Sequence, residues 1–339
     1  MEQSRIVVTG GAGLIGSALI WALNRRGIDD ILVVDRLDSS EKWKHLVPLR
    51  FADYLDADDF ADRIAAGQSF GDVGAAFHLG ACSSTTESDA GYLLRNNYEY
   101  TKSLAYWALK NRSRFVYASS AATYGGVEAV LSDEADLHTL RPLNAYGYSK
   151  HLFDLYARRT YLADRICGLK YFNVFGPNED HKGEMRSIVA KAYEQIQAGG
   201  SIRLFKSHRP EYRDGEQQRD FIYVKDVVDM TLHLAEADAT GLYNIGSGTP
   251  HTWLDLVRPI FHALELPERI EFIEMPQHLR GKYQYYTCAN VERLRATGYD
   301  RPVTPLGDAV TDYVTNYLVK GRPLEISDAP VAAPLKAPS

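Results

Sequence analysis

Tyr146 and Lys150 stand four residues apart and form the pair in this sequence best suited to proton transfer. A spacing of four places two side chains on one face of a helix, and the surrounding pattern predicts a helix from about Tyr146 to Tyr161. A tyrosine hydroxyl, with an ordinary pKa of about 10, serves as a base at neutral pH only if a nearby positive charge lowers that value. We therefore predict that Tyr146 is a general base and that Lys150 tunes it.

Ser120 is the third side chain of this predicted catalytic group. It directly follows the run Arg114 to Ser119, which predicts a strand of a buried sheet. The carboxyl edge of that sheet should bring Ser120 beside Tyr146, where its hydroxyl would hydrogen-bond a substrate oxygen as an alcohol becomes a ketone. The three residues predict oxidation of an alcohol, in which the proton leaves the hydroxyl oxygen and the hydride leaves the carbon that bears it. The alternative is that Tyr146 and Lys150 are only a pair at the start of a helix.

A glycine motif after the first predicted strand offers a site for the hydride acceptor. Gly10 permits a tight turn, Gly13 lets the backbone approach a pyrophosphate, and Gly16 lets the following helix pack closely. We predict that this loop, with Leu14 and Ile15 in the first helical turn, binds a nicotinamide dinucleotide. The positively charged nicotinamide ring would then also help to lower the pKa of the catalytic tyrosine.

The choice between NAD and NADP depends on three residues at the end of the second predicted strand. Asp35 closes that strand at about the ~20-residue separation typical of a carboxylate that binds the adenosine ribose, which favours NAD. Arg36 and Lys42 could instead neutralise a ribose 2'-phosphate, which favours NADP, or could be ordinary surface charges. The residues alone leave both cofactors open.

Two further segments should complete the cofactor site. Asp53, placed just beyond the third predicted strand, and the loop after the next strand would flank the adenine and the nicotinamide ribose. That loop consists of Leu79, Gly80, Ala81, Cys82 and Ser83. Within it, we interpret Cys82 as a small packed residue rather than a nucleophile.

The elements that must position these residues alternate between strand and helix. Apolar runs begin at Ile6, Ile31, Ala75, Arg114 and Ile166, and helical patterns separate them. This alternation predicts an α/β fold with a doubly wound parallel Rossmann sheet that is buried on both faces. In the second half, Phe221 to Val228 and Leu242 to Gly246 are predicted to associate with the same sheet.

The loops and helices after Gly176 predict a smaller, discontinuous α/β substrate domain. We expect a dinucleotide-binding Rossmann domain made of residues 1–176 and 221–250. Residues 177–220 and 251–320 would form the substrate domain, packed at the carboxyl ends of the strands, where doubly wound sheets bind ligands. The Pro- and Ala-rich tail, residues 326–339, is predicted to be disordered.

Composition argues against several other classes of protein. The chain has 339 residues, 45% of them hydrophobic, and a net charge of -6, which gives no general attraction for nucleic acids or anionic membranes. No apolar stretch reaches the ~18 residues of a membrane span. Its three cysteines suggest neither a disulfide framework nor a zinc site, because their number is odd and their spacing fits no metal motif. We predict a cytoplasmic protein without a metal, a nucleic-acid partner or a membrane anchor.

Three motifs in register resemble the extended short-chain dehydrogenases, a superfamily of nucleotide-sugar epimerases, dehydratases and reductases. They are the glycine motif, Ser-Ser-Ala-Ala-Thr-Tyr-Gly at 119–125, and Tyr-x-x-x-Lys, and the resemblance spans residues 5 to about 318. Dehydratases of this group carry an Asp-Glu pair where this chain has Ala121 and Ala122. Without that acid, elimination of water is not expected. Epimerisation by oxidation and re-reduction fits better, because the cofactor returns to its starting state.

A closer resemblance is to the ADP-glyceromanno-heptose 6-epimerase family. It rests on residues 80–87, 96–98, 144–150, 171–177 and 181–183. The resemblance implies inversion of C6 of an ADP-heptose used for the bacterial lipopolysaccharide core. It also implies tightly held NADP and a homo-oligomer, typically a pentamer.

The same resemblance implies that Lys182 is a second catalytic base. Inverting a stereocentre in this way requires the hydride to leave and return on opposite faces of the carbonyl, so the ketone must turn over in the pocket. One proton donor would not reach both orientations, whereas Tyr146 and Lys182 could each serve one epimer. The alternative is that Lys182 only neutralises a phosphate.

The remaining binding roles also follow from the resemblance. It implies cofactor contacts for Asn96, Val174 and Lys182. It implies contacts to the ADP-sugar for Ser120, Asn173, Glu184, Lys191, Phe205, Lys206, Ser207, His208, Arg219 and Tyr283. Of these, Arg219 suits a pyrophosphate, because its planar fork of donors matches phosphate oxygens.

The chain departs from the family pattern on the substrate side. Typical members carry Glu, Ser and His at the positions of Leu79, Glu184 and Lys191, and the loop between Lys206 and Arg219 is longer here. These departures concern the identity of the sugar more than the reaction type. A C4 epimerase of a UDP- or GDP-hexose, which needs no second base, and a non-catalytic cofactor-binding regulator remain alternatives.

Overall fold

The computed structural model describes residues 4–280 and 283–329, and its centre is a seven-stranded parallel sheet. The strands of this sheet are β1 (Arg5–Thr9), β2 (Ile31–Asp35), β3 (Asp53–Asp56), β4 (Val73–His78), β5 (Arg114–Ser120), β7 (Cys167–Tyr171) and β12 (Gly241–Ile245). The other strands are β6 (Val130–Leu131), β8 (Asn173–Phe175), β9 (Ile202–Phe205), β10 (Gln218–Arg219), β11 (Phe221–Tyr223), β13 (His251–Thr252), β14 (Ile270–Ile273) and β15 (Cys288–Ala289).

The central sheet has the spatial order β12-β7-β5-β4-β1-β2-β3, so the chain reverses its direction of winding between β1 and β4. All five residues of β2 are buried, as expected for a strand covered on both faces. This confirms the predicted α/β fold with a doubly wound parallel sheet. The crevice at the carboxyl ends of β1 and β4 is the place where such sheets bind ligands.

Helices cover both faces of the sheet and fill the second half of the chain. The α-helices are α1 (Leu14–Arg25), α2 (Trp43–Leu46), α3 (Ala57–Ala65), α4 (Ala90–Leu93), α5 (Tyr100–Lys110), α6 (Ala145–Arg159), α7 (Ile188–Gly199), α8 (Val224–Glu236), α9 (Trp253–Ala263), α10 (Gln277–Arg280), α11 (Glu292–Ala296) and α12 (Leu306–Tyr313). One π-helical stretch, Leu94–Glu99, joins α4 to α5, and another, Val314–Leu318, continues α12. In the part of the chain that is described, no helix has the length and apolarity to cross a bilayer.

The structure corrects two predicted elements near the site. Only Phe221–Tyr223 of the predicted run Phe221 to Val228 is strand, and α8 begins at Val224. Val224, Val227 and Val228 are all buried, and this spacing of three and four residues belongs to a helix rather than a strand.

The predicted place of Asp53 is also wrong. Asp53 opens β3 instead of following a strand, and it pairs with Leu32 at the amino end of the sheet. Asp56 is the residue level with Asp35 at the carboxyl end. A side chain on Asp53 therefore lies at the edge opposite to the ligand crevice, and its predicted role at the adenine does not fit this position.

The two parts of the chain are joined by one short sheet and by one continuous core. Strand β6 in the first part pairs in parallel with β15 in the second, whereas β9 and β14 pair within the second part. The largest apolar cluster extends from Ile6 in β1 to Leu324 near the C-terminus. The division into a Rossmann and a substrate domain remains a prediction.

The predicted disorder from residue 326 onward is wrong for its first residues. Arg322 forms an ion pair with Asp328 at 2.7 Å, and Trp21 of α1 donates a hydrogen bond of 2.8 Å to the Glu325 carbonyl. Arg25 of α1 donates to the carbonyl of Ile326 at 3.3 Å. These contacts hold the segment against α1. Residues 330–339 of the predicted tail lie outside the described residues.

Candidate active site

The glycine loop between β1 and α1 has the shape that a dinucleotide phosphate requires. Gly10 has a φ of +68°, and a Cβ there would stand 2.5 Å from the backbone nitrogen of Gly80. A Cβ on Gly16 would overlap the carbonyl oxygen of Gly10. Helix α1 starts after Gly13, and no described side chain caps it. The backbone N–H groups of its first turn, which includes Leu14 and Ile15, therefore point out of the helix end without a side-chain acceptor. Because these donors face an anion readily, the loop fits a pyrophosphate.

Asp35 is buried between the glycine loop and a lysine. One carboxylate oxygen accepts a 2.8 Å hydrogen bond from the backbone N–H of Ala12, and the other contacts Lys42 Nζ at 2.7 Å. Arg36 pairs with Asp58 and also donates to the Asn96 side chain at 2.7 Å. Both cations predicted near the adenosine ribose therefore lie at the carboxyl end of β2, and both have acidic partners inside the protein.

The loop from Leu79 to Ser83 follows β4 and closes over the other side of the crevice. Leu79 N–H donates to the Thr9 carbonyl at 3.1 Å, which continues the pairing of β4 with β1. Buried Asn97 exchanges two hydrogen bonds of 2.9 Å with the backbone of Cys82 and donates to Ser149 of α6 at 3.0 Å. Asn97 was not singled out in the sequence, although the signal was available in its place beside Asn96 in the 96–98 motif.

Tyr146, Lys150 and Ser120 are brought together at the carboxyl end of β5. Asn144 caps α6, because its side chain accepts a 2.8 Å hydrogen bond from the Gly147 N–H, and this cap fixes the helix start just before Tyr146. Ser120 is the last residue of β5 and hydrogen-bonds Tyr146. The predicted grouping of these three side chains thus appears in the structure.

The pKa values at this site differ from the simple expectation. Burial raises the pKa of Tyr146, and the hydrogen bond from Ser120 only partly opposes that rise. Burial also lowers the pKa of Lys150 to about 8, although the charge of Asp154 acts in the opposite direction. Below that pH the ammonium of Lys150 is present, and its charge favours the phenolate form of Tyr146.

A buried ion pair underlies the catalytic helix and was missed in the sequence. Asp154, one turn after Lys150, contacts Lys170 Nζ at 2.7 Å, and both side chains are buried. The same carboxylate accepts hydrogen bonds from Tyr117 at 2.9 Å and Ser119 at 2.8 Å. The pair therefore fixes α6 to β5 and β7. Its sequence signal was the position of Asp154 four residues after Lys150 on the same helical face.

Lys182 lies on a separate element, the 3₁₀ helix Asp180–Met185 that follows β8. Burial lowers the pKa of its ammonium, against the opposing charge of Glu179. The Thr85 hydroxyl contacts the Met185 sulfur at 3.7 Å, so the loop that carries Cys82 reaches this helix. Cys82 is also close enough to Tyr146 and Lys150 to affect the pKa of each. One loop thus borders both elements that carry the predicted bases.

Arg219 occupies a buried aromatic setting on the substrate side. Its guanidinium lies 5.2 Å from the Tyr283 ring centre and 5.9 Å from that of Trp253. Trp253 in turn donates a 2.8 Å hydrogen bond to the Tyr283 hydroxyl. Burial lowers the pKa of Arg219. Asp220, the next residue, has a structural role, because its carboxylate accepts hydrogen bonds from Ser247, Gly248 and Ala289.

The remaining predicted substrate contacts lie on three segments, one of which also carries the predicted cofactor contact Val174. Phe205 ends β9, and the next three residues, Lys206, Ser207 and His208, form the start of the long loop, with Lys206 3.0 Å from Glu274. Glu184 and Lys191, two of the three positions that depart from the family pattern, contact each other at 3.2 Å. Exposed Asn173 and half-buried Val174 lie on β8, which pairs with β11.

Comparison with known proteins agrees with this geometry. The model of the NAD dependent epimerase/dehydratase family matches residues 6–246. The chain is 50% identical to the ADP-L-glycero-D-manno-heptose-6-epimerase of Nitratidesulfovibrio vulgaris, over 94% of this chain and 99% of that protein. Identity to the enzyme of the same name from Fusobacterium nucleatum is 43%, over 93% and 98%.

A solved structure extends the comparison to the whole fold. The crystal structure of the Helicobacter pylori ADP-L-glycero-D-manno-heptose-6-epimerase superposes with a TM-score of 0.80 at 26% identity. That superposition covers 93% of this chain and 96% of the Helicobacter chain. The chain belongs to the NAD dependent epimerase/dehydratase family and, within it, to the group of ADP-L-glycero-D-manno-heptose-6-epimerases.

Proposed function

We propose that this protein inverts C6 of the heptose in ADP-D-glycero-D-manno-heptose to give the L-glycero epimer through a 6-ketone. The observation that carries the proposal is the assembly of Ser120, Tyr146 and Lys150 beside a dinucleotide loop, in a chain whose relatives of that name match it nearly end to end. Ala121 and Ala122 stand where an eliminating acid would be needed, which supports epimerisation over dehydration. When bound, the nicotinamide dinucleotide supplies the place where the hydride is held and from which it returns.

The protein's own groups handle the proton. For one epimer, Tyr146 removes the hydroxyl proton while Ser120 holds the same oxygen by a hydrogen bond. For the other, Lys182 does so, because burial lowers the pKa of its ammonium and so favours the neutral amine that can accept a proton. After the ketone has turned over, the other base, in its protonated form, returns a proton to the oxygen during reduction, so one base gains the proton that the other gives up. Two bases on separate elements suit a ketone that turns over between the two steps.

The ADP part of the substrate is proposed to lie along the second half of the chain. Arg219 would hold the pyrophosphate, since its buried fork of donors is fixed between Tyr283 and Trp253. The other proposed contacts are Asn173, Glu184, Lys191, Phe205, Lys206, Ser207 and His208. The mutual pairing of Glu184 and Lys191 keeps that part of the surface neutral despite the departure from the family pattern.

The cofactor is proposed to be NADP rather than NAD. Lys42 neutralises Asp35, and the other Asp35 oxygen is already bonded to Ala12, so this carboxylate offers little to a free ribose hydroxyl. Lys42 and Arg36 could both turn to a 2'-phosphate at the same strand end. Denaturing the purified protein and weighing the released nucleotide by mass spectrometry tests this choice. Release of NAD alone would contradict it.

The decisive test of the reaction is incubation of the holoenzyme with ADP-D-glycero-D-manno-heptose, followed by NMR of the C6 proton. We expect conversion to an equilibrium mixture of both epimers, and no change at C6 would refute the proposal. Lys182→Met should reduce turnover by about 100-fold or more, as loss of a general base does. Exposed Lys320→Met serves as the control and should leave turnover unchanged. A C4 epimerase of UDP-glucose would instead tolerate Lys182→Met.

We also propose that the protein works as a cytoplasmic homo-oligomer. Tyr106 and Tyr161 are 48% and 76% exposed and border the same surface groove, which offers apolar area for a second copy. Cys82, Cys167 and Cys288 are all free thiols, as suits a reducing compartment. Light scattering of the purified holoenzyme measures the assembly, and a monomeric mass would count against it.

A further inference from the structure

His45 of α2 lies between the cofactor loop and the helix that carries Lys182. Its side chain is only 2% exposed. One ring nitrogen, Nδ1, stands 2.8 Å from the carbonyl oxygen of Ala12, inside the glycine loop. The other, Nε2, stands 2.6 Å from Asp180, which opens the 3₁₀ helix two residues before Lys182. The two ring nitrogens thus link the glycine loop directly to the segment that carries Lys182.

His45 contacts the glycine loop on one side and the segment that carries Lys182 on the other. The rings of His45 and His181 meet edge to face at 5.3 Å, so the residue next to Lys182 also packs on His45. Although burial acts to raise the pKa of Asp180, the hydrogen bond from His45 holds it below its ordinary value. A second link runs alongside, since the Asn178 amide donates to Ser17 of α1 at 2.9 Å. The segment that leads to Lys182 is thus fastened to the phosphate-binding end of the molecule.

A metal ion is a poorer explanation for the same cluster. His45, Asp180 and His181 lie close enough together to hold one. However, both ring nitrogens of His45 are already engaged by Ala12 and Asp180, and the charges of Lys182 and Lys42 act on His181. A site where positive charges already surround the imidazole disfavours a further cation. The hydrogen bonds of His45 are sufficient to account for the arrangement.

We propose that His45 is a positioning residue for Lys182, which it ties to the dinucleotide loop through Ala12 and Asp180. This inference rests on the proposed function, because it assigns His45 to the base that serves one epimer. The loop and Lys182 must hold a fixed relation if the hydride is to leave C6 as the proton leaves the hydroxyl oxygen on that carbon. A displacement of about 1 Å in such a relation can cost as much as about 100-fold in rate.

The test compares the two halves of the reaction in single turnovers of the holoenzyme. Each C6 epimer is mixed separately with enzyme in excess, and the absorbance of the reduced nicotinamide is followed. His45→Leu should slow the oxidation of one epimer by about 10-fold and of the other by less than about 2-fold, because only one half depends on Lys182. The epimer affected should be the one that Lys182→Met affects. His45→Gln, which keeps amide N–H donors, should recover part of the loss.

A second variant guards against misfolding of the buried site. Asp180→Ala breaks the same link at a side chain that is 62% exposed, and it should reproduce the one-sided effect. Exposed His262→Leu and Asp300→Ala are the matched controls and should slow neither half. Equal slowing of both epimers, or slowing of neither, in variants with normal melting and cofactor content would overturn the role of His45. A wild-type holoenzyme that reduces its cofactor with neither epimer would instead overturn the proposed function and this role with it.

Discussion

The positive charge of Lys150 is sensitive to pH just above neutrality. Burial lowers the pKa of Lys150 to about 8, so its ammonium is present below that pH and is lost above it. If the charge helps Tyr146 to act as a base, kcat/KM should decline as the pH rises through about 8. Lys150→Arg keeps a positive charge at every accessible pH, so its alkaline decline should move upward even though turnover is lower. Profiles of kcat/KM against pH measure this, and an unmoved alkaline limb would exclude Lys150 as its source.

The buried pair of Asp154 and Lys170 makes an asymmetric prediction about stability. Asp154→Ala leaves the Lys170 ammonium buried with Thr123, at 2.7 Å, as its one side-chain hydrogen-bond partner among the described residues. It should lower the free energy of unfolding by about 3–5 kcal/mol. Lys170→Met should cost less, because Tyr117 and Ser119 still donate to the carboxylate. Urea titrations of both variants and of the double variant measure these costs. The double variant should lose less free energy of unfolding than the two single variants lose together. Strictly additive losses would contradict the pairing.

At the scale of elements, the glycine loop is where the ends of β1 and β4 and the start of α1 pack closely together. Gly16→Ala should empty the protein of cofactor and destabilise it, because the new methyl group overlaps the Gly10 carbonyl oxygen. Gly307→Ala is the matched control. Its Cβ would meet no atom within 4 Å, and in α12 it should raise the free energy of unfolding by about 0.5–1 kcal/mol. Nucleotide content by absorbance, together with thermal melting, reports both effects. Retention of cofactor by Gly16→Ala would contradict the described packing.

Local patterns predicted most of the elements around the site but not their long-range contacts. The glycine motif and the Tyr146 helix follow from short sequence signals, because the phosphate loop and the helix cap are local structures. The predicted position of Asp53 was wrong, because the sequence alone does not show which end of a strand a residue occupies until the strand register is known. The link from His45 to Asp180 crosses 135 positions, and no periodicity in a single sequence indicates such a pair.

At the scale of the whole molecule, the end of the described chain stabilises its beginning. Leu324 is completely buried in the main core, and Trp21 of α1 bonds the next residue, Glu325. Leu324→Ala should therefore lower the free energy of unfolding by about 2–5 kcal/mol. Val319→Ala, at a side chain that is 54% exposed, should change it by less than about 0.5 kcal/mol. Chemical denaturation compares the two, and equal effects would show that the C-terminal segment adds nothing to the core.

The short parallel pair of β6 and β15 bears on how substrate enters and product leaves. It ties the loop after Ser120 to the second half of the chain, and the Tyr285 N–H adds a 2.8 Å hydrogen bond to Glu128 of that loop. A wide hinge motion between the two halves would have to break this pairing in every catalytic cycle. We therefore expect substrate and product to pass through a local opening at the edge of the site rather than through separation of the two halves. A narrow opening would retain the oxidised 6-keto sugar until it has turned over.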